Sequence, residues 1–305
     1  MSLLRRIPRS APFSFRSNSQ PYLADNAQAA PRAKIRLQTL LEYHSSKTPI
    51  VALTAHDYTS GYAADMGGVD IVLVGDSLAM VALGMDSTTE LTLNDMIHHA
   101  KAVSRAVKSA FLVGDLPFGT YENTPTQALH SAIRMIREGR VEAVKIEGGS
   151  EMAPAVQKIT SVGIPVLGHI GMMPQRQTSM GGFRAESILV NAKSLQEAGC
   201  FGIVLEAIPG NIAKLVTDAL VIPTIGIGAG VGCSGQILVQ LDMLGSYHKL
   251  APKFVKQWGQ VGEISKNCIS SYCQEVRKRV FPGPEHTYSI KPEELDLFKN
   301  KLVNQ

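Results

Sequence analysis

Six short apolar runs in this chain end on a side chain that can carry charge: Asp57, Asp76, Asp115, Glu147, His169 and Glu206. Asp76, Asp115, Glu147 and Glu206 are carboxylates, and carboxylates gathered at one place repel unless a cation, a proton or a lysine sits among them. Hard oxygen donors without a histidine pair suit Mg2+ better than zinc. Asp76, Asp115 and Glu147 close three successive runs, so they are expected to surround one octahedral ion that keeps places for water and substrate oxygens. Taken singly, each acid could as well cap the turn or helix that follows it.

Lys145 stands two residues before Glu147, and in a strand that spacing sends both side chains to one face. A lysine on the inner face of an apolar strand is costly unless it meets an anion, either an acid substrate or the neighbouring carboxylates. Glu206 stands apart in a later run, where a partly dehydrated carboxylate could serve as a general base. A helix cap and an ion-pair partner are the other readings of Glu206. Gly226-Ile227-Gly228-Ala229-Gly230 could bring backbone N–H groups close to an anion, although tight packing explains the glycines almost as well. His169, alone at its strand end, and the paired His98 and His99, inside a helix, read as structural.

The elements that would carry these residues repeat from residue 48 onward. Apolar runs at 50–57, 70–77, 110–115, 143–147, 165–169, 202–206, 223–227 and 236–242 reach a polar or glycine-rich tip, and a helical stretch follows. Runs that are apolar throughout mark strands covered on both faces, as in parallel sheets. Thr124-Pro125-Thr126-Gln127 reads as an N-cap, a first-turn proline and a capping-box glutamine. Leu129, Ala132, Ile133 and Ile136 then form one stripe, and Gly139 is placed to close the helix in the left-handed conformation. Thr92 is expected to cap a helix that buries Met96, Ile97, Ala100 and Val103, and a third helix spans 191–199. Eight such units over about 240 residues fit an α/β fold of the (β/α)8 TIM-barrel type, whose active sites lie at the C-terminal ends of the strands. A doubly wound open sheet is the alternative, but no GxGxxG follows the first run.

The net charge of +4 lies wholly in residues 1–32, which hold five arginines and a single acid, Asp25. The rest carries 25 basic and 25 acidic residues, so nothing calls for nucleic acid or an anionic membrane as partner. No apolar run reaches the roughly 18 residues of a bilayer span. A leader rich in Arg and Ser and poor in acids has the composition of a mitochondrial transit peptide. The expected organisation is that leader over 1–32, a catalytic barrel over 33–290 and a tail over 291–305, in the mitochondrial matrix. Cys200, Cys233, Cys268 and Cys273 make no CxxC pair or zinc spacing and fit a reducing compartment. Cys268 shares helical spacing with Ile269, Tyr272 and Val276 and reads as buried.

Val74-Gly75-Asp76-Ser77, Asp115-Leu116-Pro117-Phe118, Val144-Lys145-Ile146-Glu147-Gly148-Gly149, Gly168-His169-Ile170-Gly171 and Ile225-Gly226-Ile227-Gly228-Ala229-Gly230 together resemble ketopantoate hydroxymethyltransferase. So do Leu205-Glu206 and Pro252-Lys253-Phe254, and the likeness runs in order over 34–286. The resemblance implies a barrel of the phosphoenolpyruvate/pyruvate type that takes 3-methyl-2-oxobutanoate and 5,10-methylenetetrahydrofolate to 2-dehydropantoate and tetrahydrofolate, a first step towards pantothenate and coenzyme A. By the same resemblance Asp76, Asp115 and Glu147 ligate Mg2+, the last through water. Asp76, Ser77, Asp115 and Lys145 hold the substrate, and Glu206 is the base. The implied partners are small molecules and further copies of the chain in a homo-oligomer.

Two departures bear on the cover of the mouth and on folate binding. Met173 stands where threonine is usual, and Ala185-Glu186-Ser187 replaces the usual continuation after Gly181-Gly182-Phe183-Arg184 in a shortened loop. The rival readings are a Mg2+-dependent 2-oxo acid carbon–carbon lyase of the same barrel group, and a catalytically weak barrel kept for assembly.

Overall fold

Strands apolar on both faces need cover on both, and a closed barrel wrapped by helices provides it. The computed structural model describes residues 32–175, 185–247 and 252–304, so the leader up to residue 31 and the segment 181–184 lie outside the described residues. Every element below belongs to the unit Lys34–Gln305. Strands β1 (Ile50–Thr54), β2 (Ile71–Val74), β3 (Phe111–Asp115), β4 (Ala143–Glu147), β5 (Val166–Gly171), β6 (Gly202–Glu206), β7 (Thr224–Ile227) and β8 (Gly235–Leu238) close in that order. Each pairs in parallel with its neighbours, and β8 returns to β1. The closed barrel expected from the eight repeats is what forms.

Strand alternation divides the core in two. Ile71, Leu73, Phe111, Val113, Leu167, Val204, Ile225 and Ile237 pack inside the barrel, together with Leu40 of helix α1 (Leu37–Ser45), which is wholly buried. The opposite faces, with Val72, Val74, Leu112, Val144, Ile146, Ile203 and Leu205, join the surrounding helices in a second cluster. Those helices are α2 (Tyr58–Met66), α3 (Leu78–Val81), α4 (Leu93–Ala106), α5 (Pro125–Arg134), α6 (Ala153–Thr160), α7 (Ala185–Glu197), α8 (Gly210–Asp218) and α9 (Gln240–Met243).

Thr92 caps α4 by accepting from Asp95 N, and Met96, Ile97, Ala100 and Val103 are its buried side, as expected. Thr124 caps α5, but Gln127 Oε1 accepts from Asn123 N, so its return bond falls one residue outside the box. Gly139 does not supply the left-handed residue. A π turn, Met135–Gly139, continues α5, and Arg140 takes φ 61°. Gly139 instead serves close packing, because a Cβ there would lie 3.2 Å from Ala100 Cβ on α4. The third helix, α7, begins ahead of the expected residue 191.

Helices α10 (Val261–Arg277) and α11 (Pro292–Val303), the latter in the segment read as a tail, bury no residue. Cys268 is therefore exposed, contrary to its reading as a buried residue. Helical spacing defines a face; it does not guarantee that anything covers it. No helix among the described residues is long and apolar enough to cross a membrane.

Candidate active site

Strand register decides which charged groups meet. β3 ends on Asp115, β4 on Glu147 and β6 on Glu206, while Asp76 lies two residues past β2. Asp115 is paired with Lys145, Glu147 with His169, and Gly171 with Glu206. Asp76, Ser77, Asp115, Lys145, Glu147, His169 and Glu206 all line one cavity of about 160 Å3. The four acids expected at one mouth are thus brought together. Asp57 is not among them: it caps α2, accepting from Ser60 N at 2.7 Å.

The cluster is almost dry, with Asp76, Asp115, Lys145 and Glu147 all at most 5% exposed. Lys145 Nζ lies 3.1 Å from Asp115 Oδ1 and 3.8 Å from Glu147 Oε1. Burial disfavours its charge, but Asp115, Glu147 and Asp76 outweigh that and hold Lys145 above the ordinary lysine range. Both sequence readings of Lys145 therefore begin from a lysine already paired with its own carboxylates. Asp115 Oδ2 accepts from Asp76 N at 2.9 Å. Burial first, and then the charge of Asp115, push Asp76 up to about 7. Burial pushes Glu147 upward too, yet His169 and Lys145 hold it below the usual carboxylate range.

His169 needs a different account from the structural one. Its Nε2 stands 3.2 Å from Glu206 Oε2, and its Nδ1 stands 3.4 Å from Glu147 Oε1. Burial and Lys145 oppose its protonation, but Glu147 and Glu206 lift it to about 9. It stands between two acids, with Lys145 Nζ 3.3 Å from its Nδ1, a placement that a lone strand-end histidine does not announce in sequence. Gly171 lets the two strands approach so closely. At φ +102° a Cβ there would lie 2.2 Å from Glu206 O. The glycines after β7 show the packing role: a Cβ on Gly228 would lie 2.8 Å from Phe254 Cδ1.

Sequence reasoning missed Gln175. Just beyond β5 it is 4% exposed, and its Nε2 donates to Asp76 Oδ2 at 2.9 Å. Its backbone N–H donates to Glu147 Oε2 at 3.1 Å. No periodicity marks this residue, because a loop's return across a barrel mouth is not written in its local pattern.

Among the described residues, no three His, Cys, Asp or Glu side chains are grouped closely enough to hold a metal ion. The three-acid cage is therefore not preformed; Lys145 lies between Asp115 and Glu147, and Gln175 spans Asp76 and Glu147. The donor chemistry nevertheless suits Mg2+, which commonly takes one or two carboxylates and completes its shell with water and substrate oxygens. Asp115 Oδ1 is buried with no aligned hydrogen bond, and the raised Asp76 marks a surplus of negative charge that a divalent ion would relieve. The remaining wall is mostly apolar, with Leu73, Val204, Ile227, Ile237, Leu238 and Phe254, and Thr54 and Asp242 also line it.

Solved structures share this architecture. A 2,3-dimethylmalate lyase of the phosphoenolpyruvate mutase/isocitrate lyase superfamily matches with a TM-score of 0.53 and 17% identity, over 88% of this chain and 97% of its own. A phosphonopyruvate hydrolase in complex with oxalate and Mg2+ matches with a TM-score of 0.57 and 11% identity, over 88% and 96%. At such identities the likeness concerns the fold, and it defines the class: a (β/α)8 barrel.

The family model for ketopantoate hydroxymethyltransferase matches residues 34–284. A 3-methyl-2-oxobutanoate hydroxymethyltransferase of Emericella nidulans is 52% identical, over 97% of this chain and 87% of its own. One from Oleidesulfovibrio alaskensis is 47% identical over 86% and 94%, and a mitochondrial one from Arabidopsis thaliana is 45% identical over 89% and 83%. The chain belongs to the ketopantoate hydroxymethyltransferase family and is an enzyme of one-carbon transfer.

Proposed function

We propose that the chain condenses 3-methyl-2-oxobutanoate with the methylene group of 5,10-methylenetetrahydrofolate, giving 2-dehydropantoate and tetrahydrofolate on the route to pantothenate. The observation that carries this reading is a base candidate, Glu206, lining the same small cavity as Asp76, Asp115 and Lys145. Family membership supplies the reaction, and the apolar wall suits a branched alkyl group.

Asp76 and Asp115 would hold Mg2+, with Glu147 beside them, and the ion when bound supplies Lewis-acid polarisation of the 2-oxo group. Lys145 and Ser77 hold the substrate carboxylate; Lys145 stays charged because Asp115, Glu147 and Asp76 surround it. Glu206 takes the proton from carbon 3, and His169, 3.2 Å away, orients its carboxylate. Carbon 3 then bonds to the methylene carbon as that carbon parts from the folate nitrogens. Water supplies the hydroxyl, and its remaining proton together with the one taken by Glu206 goes to the two folate nitrogens as tetrahydrofolate leaves.

Incubation with Mg2+ and the oxo acid in deuterated water, without folate, should exchange the hydrogen at carbon 3. Adding the folate should then yield product. Good binding with no exchange would favour the assembly role, and exchange without product on adding the folate would favour the lyase. Turnover undiminished by excess chelator would remove Mg2+ from the scheme.

The address and the assembly are proposals of the same standing. The Arg-rich, acid-poor leader supports delivery to the mitochondrial matrix, testable by imaging a fusion with and without residues 1–32. Helices α10 and α11, which bury nothing, and an apolar groove with Val51, Ala63, Met243 and Trp258 support a homo-oligomer. Sedimentation of the purified chain tests that.

A further inference from the structure

Gln175 is fully engaged. Its Oε1 accepts from Tyr121 Oη at 2.6 Å, and its Nε2 donates to Asp76 Oδ2 at 2.9 Å and to Leu116 O at 3.1 Å. Its backbone N–H donates to Glu147 Oε2 at 3.1 Å. The amide can face only this way. Leu116 O is a backbone carbonyl and can only accept, as an ionised Asp76 Oδ2 does, so a flipped amide would set oxygen against oxygen at both. The single Tyr121 hydroxyl proton lies within reach of Gln175 Oε1 at 2.6 Å and of Glu147 O at 3.2 Å, so the hydroxyl that meets the amide also sits against β4.

One residue thus occupies an oxygen on each of two carboxylates that come from different strand ends. A carboxylate with one oxygen pinned can no longer rotate freely, and the plane of the group sets where its other oxygen points. Asp76 has the greater need. It is buried beside Asp115, and the amide donates directly to its Oδ2, holding one of its oxygens in place.

We propose that Gln175 is a positioning residue for the metal site: its amide orients Asp76, and its backbone N–H orients Glu147, for ligation of the divalent ion. This rests on the reading of Asp76 as a metal ligand. Gln175 itself touches neither substrate nor ion in this role; it acts through the acids.

The test compares wild type with Gln175→Met, Tyr121→Phe and Asp76→Ala by titrating Mg2+ or Mn2+ calorimetrically into the metal-free protein. Gln175→Met keeps the length and the backbone N–H and loses the amide. It should weaken metal affinity about 10- to 100-fold, the range for loss of an outer partner of a metal ligand. Tyr121→Phe removes the donor to the amide oxygen and should weaken it less, in the same direction. At saturating metal, Gln175→Met should regain most of the wild-type exchange rate at carbon 3, which a generally damaged fold would not. Wild-type affinity in both Gln175→Met and Tyr121→Phe, with affinity lost in Asp76→Ala, overturns the positioning role alone. Wild-type affinity in Asp76→Ala overturns the metal reading and the positioning role together.

Discussion

From β2 to β6 the barrel mouth carries Asp76, Asp115, Lys145, Glu147, His169 and Glu206; the β7 and β8 side carries Ile227, Ile237 and Leu238, joined by Phe254 and by a single acid, Asp242 of α9. Both arcs come from parallel strands with the same alternation, yet they behave differently under change. In the charged arc neighbours favour the charge of Lys145, which lies among three acids, and of His169, which lies between two. Removing one member leaves others buried without compensation, so effects there are large and do not add. In the apolar arc each side chain contributes contact area almost independently, and losses scale with volume. Chemistry belongs to the first arc and choice of alkyl group to the second.

The sharpest attack on that division is Glu206→Gln. It keeps the shape of the side chain and removes the proton acceptor, so exchange at carbon 3 should fall by about 10²- to 10⁴-fold while substrate and metal binding persist. Persistent exchange would move the base elsewhere in the mouth. Next comes Lys145→Met, which leaves Asp115 and Glu147 facing each other without their ammonium. The metal-free protein should lose about 3–5 kcal/mol, read from its urea midpoint, and Mg2+ should recover part of it as a substitute cation.

Ile237→Ala, on the other arc, should shift substrate choice towards a longer branched 2-oxo acid by about 10-fold in kcat/KM, with exchange chemistry intact. A large fall in the exchange rate at saturating substrate would show that the arcs are not separable. The smallest effect is expected outside both arcs. Burial pushes the Cys200 thiol up to about 12, so iodoacetamide at pH 8 should label exposed Cys268 and leave Cys200 intact in the native protein. Mass spectrometry of the digests reads both sites.

Much of the fold was legible in the sequence because it follows from short-range pattern. Apolar runs without alternation gave eight strands, Thr92 and Thr124 gave two helix starts, and period two put Lys145 and Glu147 on one face. The acids at the strand tips were legible for the same reason. Where α5 ended was not, since Gly139 answers to Ala100 on a neighbouring helix and not to its own turn. Nor was the exposure of Cys268, since nothing local reports whether a helix face meets a partner.

The sequence by itself determined which residues reach the barrel mouth, because backbone periodicity is set within a few residues of each side chain. Only the tertiary structure decided how they are shared out there. It paired His169 with Glu206, put Lys145 between Asp115 and Glu147, and brought Gln175 back onto Asp76. Those distances depend on strand register and on the return of a loop across the mouth. A charged contact changes its strength over a fraction of an ångström in a dry interior, on a scale that no spacing along the chain resolves.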